Sequence, residues 1–200
     1  MALFSTAYFP CIRYAAQALK ADTFRIELYE TYQKQTYRSR CVVMTANGVE
    51  SLSVPVVKTH GSHTITKDIG VSDHLPWQQI HRRCLESAYR NAPFFDHYYP
   101  AIEPIFGTRF KWLVDLNEAT MQVIFNMLKI NKEILYSTDF EKNADNDFRN
   151  AFNAKKRQET TSLPVYYQVF ETKFPFAPDL SMLDLIFNEG PESKSYLNSL

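Results

Sequence analysis

The hydrophobic pattern opens with residues 3 to 9, which read as a short strand, and Pro10 then suits the first turn of a helix carrying Ile12, Ala15, Ala16 and Leu19 on one face. Phe24, Ile26 and Leu28 alternate with Arg25, Glu27 and Tyr29, the period of a half-buried strand, so a β-α-β unit is expected at the start. The apolar run from Cys41 to Met44 meets Asn47-Gly48, a strong hairpin signal, and Leu52, Val54 and Val56 share one face of the returning strand. Pro55 cannot donate to a ladder, which places that strand at an edge or ends it in a bulge. The segment His60-Gly61-Ser62-His63 reads as its outgoing loop.

A second helix is expected from Pro76, with Asp73 as a cap, running towards Pro93. At about 100° per residue, Trp77, Ile80, Cys84 and Ala88 form its apolar stripe, with His81 inside it and Gln79, Arg82, Arg83 and Glu86 opposite. Lys111 to Ile130 is helical and apolar around most of its circumference, the pattern of a central buried helix. Ile134 to Phe140 and Val165 to Phe170 read as later strands, and the polar stretch from Glu141 to Gln158 as loop or surface helix. Ser181-x-x-Asp184 resembles a capping box, starting a short helix that carries Leu183, Ile186 and Phe187 inward and stops at Gly190-Pro191. The elements add up to an α/β single domain spanning 1–200, a mixed β-sheet flanked by helices.

Composition narrows the chemistry. With 22 basic and 22 acidic residues there is no global field to draw the chain onto nucleic acid or an anionic membrane, so an anion site has to be local. Cys11, Cys41 and Cys84 are odd in number and widely spaced, which fits a reducing compartment; no export signal is read at the N-terminus, and a cytoplasmic location is expected. Only 5 glycines are present, and neither a dinucleotide fingerprint, a Walker loop nor a Gly-x-Ser-x-Gly elbow occurs. No cofactor is expected. His60, His63 and His74 have no carboxylate at a fixed offset and make no recognised metal set.

The strongest chemical candidate is the connection from Tyr29 to Arg40, in which Tyr32, Lys34, Tyr37, Arg38 and Arg40 combine cations with aromatic hydroxyls. Arginine forms paired bonds to phosphate or carboxylate and tyrosine offers a stacking face, so this segment is a candidate seat for a small anionic ligand; a solvated charge cluster is the plain alternative. His81 is the candidate proton-transfer group, against the plain reading of a core histidine bonded to a carbonyl. Asn117, on the apolar side of the long helix, reads as a satisfied buried amide before a ligand contact.

Several strings together resemble the WbqC-like family: Tyr8-Phe9-Pro10 through Tyr14, the stretch from Tyr32 to Arg40, Asn47-Gly48, and Leu52 to Pro55. Trp77, His81 and Tyr89 with Pro93-Phe94-Phe95, then Tyr167 to Phe170, Leu180-Ser181 and Asp184 to Pro191, extend the resemblance over nearly the whole chain. It departs at Ser39, where members often carry Asn, and at Ala154-Lys155, where they often carry Pro-Lys. The resemblance implies a role in bacterial O-antigen or related surface-polysaccharide biosynthesis without fixing a reaction; together with the cationic, tyrosine-rich connection it leads to the expectation of an enzyme that modifies a nucleotide-linked sugar or its precursor, group transfer being one such reaction. A non-catalytic binding or assembly protein of the same pathway is the other expectation. The opening topology is also loosely similar to adenylating nucleotidyltransferases, but Tyr8 to Tyr14 contains no histidine for that chemistry.

Overall fold

A computed structural model describes residues 2–154 and 163–200. Strand β1 (Ala2–Ser5), helix α1 (Ile12–Lys20) and strand β2 (Phe24–Glu27) form the expected β-α-β unit, with β1 and β2 parallel and Ala2 opposite Phe24. Strands β3 (Arg40–Thr45) and β4 (Gly48–Ser53) make a hairpin, and β5 (Val56–Lys58) pairs with β6 (Ile69–Val71) in a second antiparallel ribbon. Helices α2 (Trp77–Tyr89), α3 (Phe95–Gly107) and α4 (Leu113–Met127) follow. Strands β7 (Ile134–Tyr136) and β8 (Asn146–Asp147) return to the first sheet, and α5 (Met182–Glu189) and α6 (Ser193–Ser199) close the chain. The α/β class holds, and its parallel and antiparallel pairings are divided among separate sheets. The main sheet is four-stranded and parallel, in the order β7-β2-β1-β8.

That order places β2 and β7 on one side of β1 and β8 on the other. The chain therefore reverses direction across the sheet between β1 and β8, and the crevice at the carboxyl ends of such a pair is where open α/β sheets hold ligands.

Several elements differ from the sequence expectation. Strand β1 stops at Ser5, and Phe9, at φ 38°, turns the chain into α1. In the hairpin Thr45 faces Gly48, so Ala46 and Asn47 form the loop and Gly48 (φ 105°) takes the positive-φ corner, as in a G1 bulge. Pro55 separates β4 from β5 instead of lying within one strand. In α2 the buried stripe is Trp77, His81, Leu85 and Ala88, centred on the histidine; Ile80 lies to one side and is 53 % exposed. Asp73 pairs with Arg109 and does not cap α2.

Helix α3 has no counterpart among the expected elements, and it contains Pro100 and Pro104. Four residues apart, both face solvent, where water replaces the lost backbone bonds, while Tyr98, Ile102, Ile105 and Phe106 pack inward. Val165 to Phe170 is not a strand. Its polar groups are used otherwise: the Tyr167 N–H donates to Glu189, and the Gln168 amide donates to the Ala177 carbonyl and accepts from the Ala177 N–H.

This segment is held by Asp184, which is fully buried and accepts from Tyr89 Oη at 2.7 Å, Tyr166 Oη at 2.5 Å and Gln168 Nε2 at 3.0 Å. Ser181 caps α5 by accepting from the Leu183 N–H, but the Asp184 carboxylate turns away to the tyrosines, so it is a hub and not the second half of a capping box. Through Tyr89 Oη, which accepts from the Met44 N–H, the hub reaches β3. Gly190 closes α5 at φ 54°, where a Cβ would meet the Phe94 ring at 2.5 Å, so both conformation and space require glycine. Tyr166→Phe removes one charge-assisted bond from a buried carboxylate and is expected to cost about 1–3 kcal/mol in urea unfolding, with the slope of the transition unchanged.

Candidate functional site

Connections leaving the carboxyl ends of β2 and β8 meet around buried charges. Glu27, at the end of β2, is fully buried; its carboxylate accepts from Ser137 Oγ at 2.7 Å, from the Tyr29 N–H at 2.8 Å and from the Glu141 N–H at 3.1 Å. Three residues on, Glu30 takes both arms of Arg38, Nε at 2.8 Å and Nη2 at 2.7 Å. Arg38 is 2 % exposed, and its Nη2 also donates to the Arg149 carbonyl. Arg149 is paired with Asp147 through Nε and Nη2 and approaches Glu27 at 3.6 Å. Burial pushes the Glu30 carboxyl up despite Arg38, whereas the bonds from Arg149 hold Asp147 below the ordinary carboxylate value.

Of the residues expected to bind a ligand, Arg38 thus belongs to the framework. Tyr32 and Tyr37 are 5 % and 4 % exposed, which leaves neither ring open for stacking on a base or sugar. Tyr32 Oη bonds to Ser39 Oγ at 2.6 Å, and the Tyr37 carbonyl accepts from the Tyr8 N–H at 2.9 Å. Lys34 is exposed on the connection.

Arg40 is different: half-buried at the start of β3, it makes no ion pair among the described residues, and its Nε is enclosed without an acceptor. Burial dominates the raised pKa of Tyr32, and Arg40 is near enough to that hydroxyl to oppose the rise. Lys58, at the end of β5, places Nζ 5.2 Å from the centre of the Tyr32 ring and is also without an ion pair among the described residues. Two cations without a carboxylate therefore converge on Tyr32. Lys58 escapes sequence reading because it lies 18 positions from Arg40 on a different ribbon.

The N-terminus of α1, the usual phosphate seat of a first β-α turn, is filled by the chain itself. Asp179, 1 % exposed and at φ 53°, accepts from the Arg13 N–H and from Arg13 Nε, each at 2.9 Å. The Ile12 N–H donates to the Leu180 carbonyl.

His81 lies in the core, 2 % exposed, with Nδ1 3.0 Å from Tyr8 Oη and the Trp77 ring 5.2 Å away. Burial lowers its pKa to about 4, against a hydrogen bond from the ring to the Ser53 backbone carbonyl that raises it. The geometry is that of a core histidine and gives the ring no contact with a bound molecule in this conformation. Asn117 joins the framework by donating to Thr6 Oγ1 and to the Arg38 carbonyl. Among the described residues, no group of three or more His, Cys, Asp or Glu is placed to hold a metal, and no helix is long and apolar enough to cross a membrane.

Arg38→Ala leaves Glu30 buried without its partner and is expected to cost about 3–5 kcal/mol in urea unfolding; adding Glu30→Leu is expected to recover much of that loss. His81 gives a pH dependence. The unfolded chain takes up its proton near the ordinary histidine value and the folded chain only near about 4, so stability falls as pH drops from about 6.5 towards 4. In His81→Gln that part of the slope is expected to vanish from unfolding curves measured across the same range.

A profile of the WbqC-like protein family matches residues 6–163, which takes in α1, the charged framework and Arg40. The uncharacterized protein Rv1507c of Mycobacterium tuberculosis (strain ATCC 25618 / H37Rv) is 26% identical, over 98% of this chain and 96% of that protein. No solved structure matches the chain. With the profile covering well over half of its length, the chain belongs to the WbqC-like protein family.

Proposed function

We propose that the protein serves bacterial surface-polysaccharide biosynthesis by binding a nucleotide-linked sugar or a related anionic precursor, with Arg40 and Lys58 as the anion seat and Lys34 at its rim. The observation that carries this reading is Arg40, whose enclosed Nε has no acceptor, beside a lysine that, like it, makes no ion pair among the described residues. A half-buried cation without an acceptor is costly unless a ligand supplies one, and arginine bonds phosphate through two parallel N–H groups. Arg38, Tyr32 and Tyr37 act here as positioning residues that hold the wall behind the seat.

Group transfer at this site needs a proton-transfer residue, and His81 would serve only if Tyr8 moved aside and opened its pocket. That burial favours the second reading, a non-catalytic binding protein of the same pathway. Thermal shift with nucleotide sugars, free nucleotides and inorganic phosphate tests the seat: a selective rise with one nucleotide sugar is expected, lost in both Arg40→Ala and Lys58→Ala. An undiminished rise in either variant, or no rise with any compound, would sink the assignment. Incubating the wild type with the compound that shifts it and following the sugar nucleotide by chromatography then separates the readings, since turnover supports an enzyme and an unchanged compound supports the binder.

A further inference from the structure

Between α4 and the main sheet lies a cavity of about 10 Å³, room for a single water-sized group, lined by Thr6, Asn117, Glu118 and Tyr136 together with apolar residues including Ile26 and Met121. Asn117 is 2 % exposed. Its amide nitrogen donates to the Arg38 carbonyl at 2.8 Å and to Thr6 Oγ1 at 3.0 Å. The carbonyl of Arg38 can only accept, so the amide cannot be turned over without setting oxygen against oxygen. Asn117 Oδ1 is therefore fixed in orientation, buried, and without a hydrogen-bond partner.

Glu118 lines the cavity and Asp115 stands near enough to act on the Tyr136 hydroxyl, while the Arg38 charge behind Tyr14 is already neutralised by Glu30. Asp115 and Glu118, on successive turns of α4, make no ion pair among the described residues, and Glu118 lies beside the Tyr136 hydroxyl. Burial and Glu118 both push the Asp115 carboxyl up, the response of an acid with no cation at hand. An orphan amide oxygen, a phenol and the Glu118 carboxylate in the lining, with the Asp115 carboxylate close by, offer acceptors within an otherwise mostly apolar cavity. A water molecule supplies two donors to it; an ammonium group supplies at least three and cancels charge as well.

We propose that this cavity seats a primary ammonium group, with Asn117 Oδ1 accepting at the floor and Glu118 and Asp115 neutralising the charge at the mouth. The volume admits the nitrogen head alone, so the remainder of an amine ligand lies outside over α4. Free ammonium and the amine of a small metabolite present the same head. The site shares no residue with the Arg40 and Lys58 seat and stands whether or not the polysaccharide reading does.

The test is thermal denaturation in chlorides of ammonium, methylammonium, tetramethylammonium and sodium at matched ionic strength, with glucosamine hydrochloride as an arm bearing a larger body. A saturable rise over sodium is expected for ammonium and methylammonium and none for tetramethylammonium, which has no donor and is too large. A rise with glucosamine at lower concentration than with ammonium identifies a metabolite amine as the natural occupant, and the reverse order identifies free ammonium. Glu118→Gln and Asp115→Asn alter exposed positions and should fold, and the apparent affinity in each is expected to be roughly two- to fivefold weaker. Equal response to all four salts, no response beyond sodium, or wild-type affinity in both variants would overturn the proposal and leave the cavity to a water molecule.

Discussion

A guanidinium at 2 % exposure must be neutralised where it stands, and the surroundings of Arg38 follow from that constraint. Glu30 supplies the charge, and the Arg149 carbonyl takes a further N–H. The Arg38 carbonyl is in turn held by Asn117, and the neighbouring Tyr37 carbonyl by the Tyr8 N–H. The Arg38 side chain thus joins the connection after β2 to the loop after β8, and the backbone carbonyls beside it add helix α4 and the turn after β1. Replacing the pair by apolar residues would hold these pieces less specifically, because paired bonds between a planar fork and a carboxylate fix direction as well as distance.

What could be read in the sequence was whatever repeats with a period. The β-α-β opening, the hairpin near Asn47-Gly48, helix α4 and the start of α5 at Ser181 all carry apolar spacing or turn chemistry that a chain of their length displays without help from the rest of the fold. Helix α3 was hidden by Pro100 and Pro104, whose cost depends on which side of the helix meets water, and β8 is two residues long, too short for any period. Glu27 was assigned to a wet face by its alternation with Ile26. In a parallel sheet a central strand such as β2 is covered on both faces, so alternation there no longer separates inside from outside.

The candidate site was legible as a segment and not as an arrangement. Composition pointed to the stretch from Tyr32 to Arg40, yet it could not tell Arg38, consumed by Glu30, from Arg40, which has no carboxylate partner among the described residues. That difference is made by Glu30 and by the register of β3 against β4, with Arg40 opposite Ser53. His81 lay on an apolar stripe in the sequence and does so in the fold, with Tyr8 as the partner that spacing alone could not supply, 73 residues away.

The carboxylate at the start of α1 comes from residue 179, and the next residues bind the same end of the chain: Ser181 Oγ donates to the Phe9 carbonyl, and the Met182 N–H to that of Pro10. During synthesis α1 therefore acquires its anion only after residue 179 has left the ribosome. Until then the first amide groups of α1 face water or whatever phosphate is nearby. The start of α1 is thus open to competing anions and to chaperones for as long as it takes to make the residues between it and Asp179.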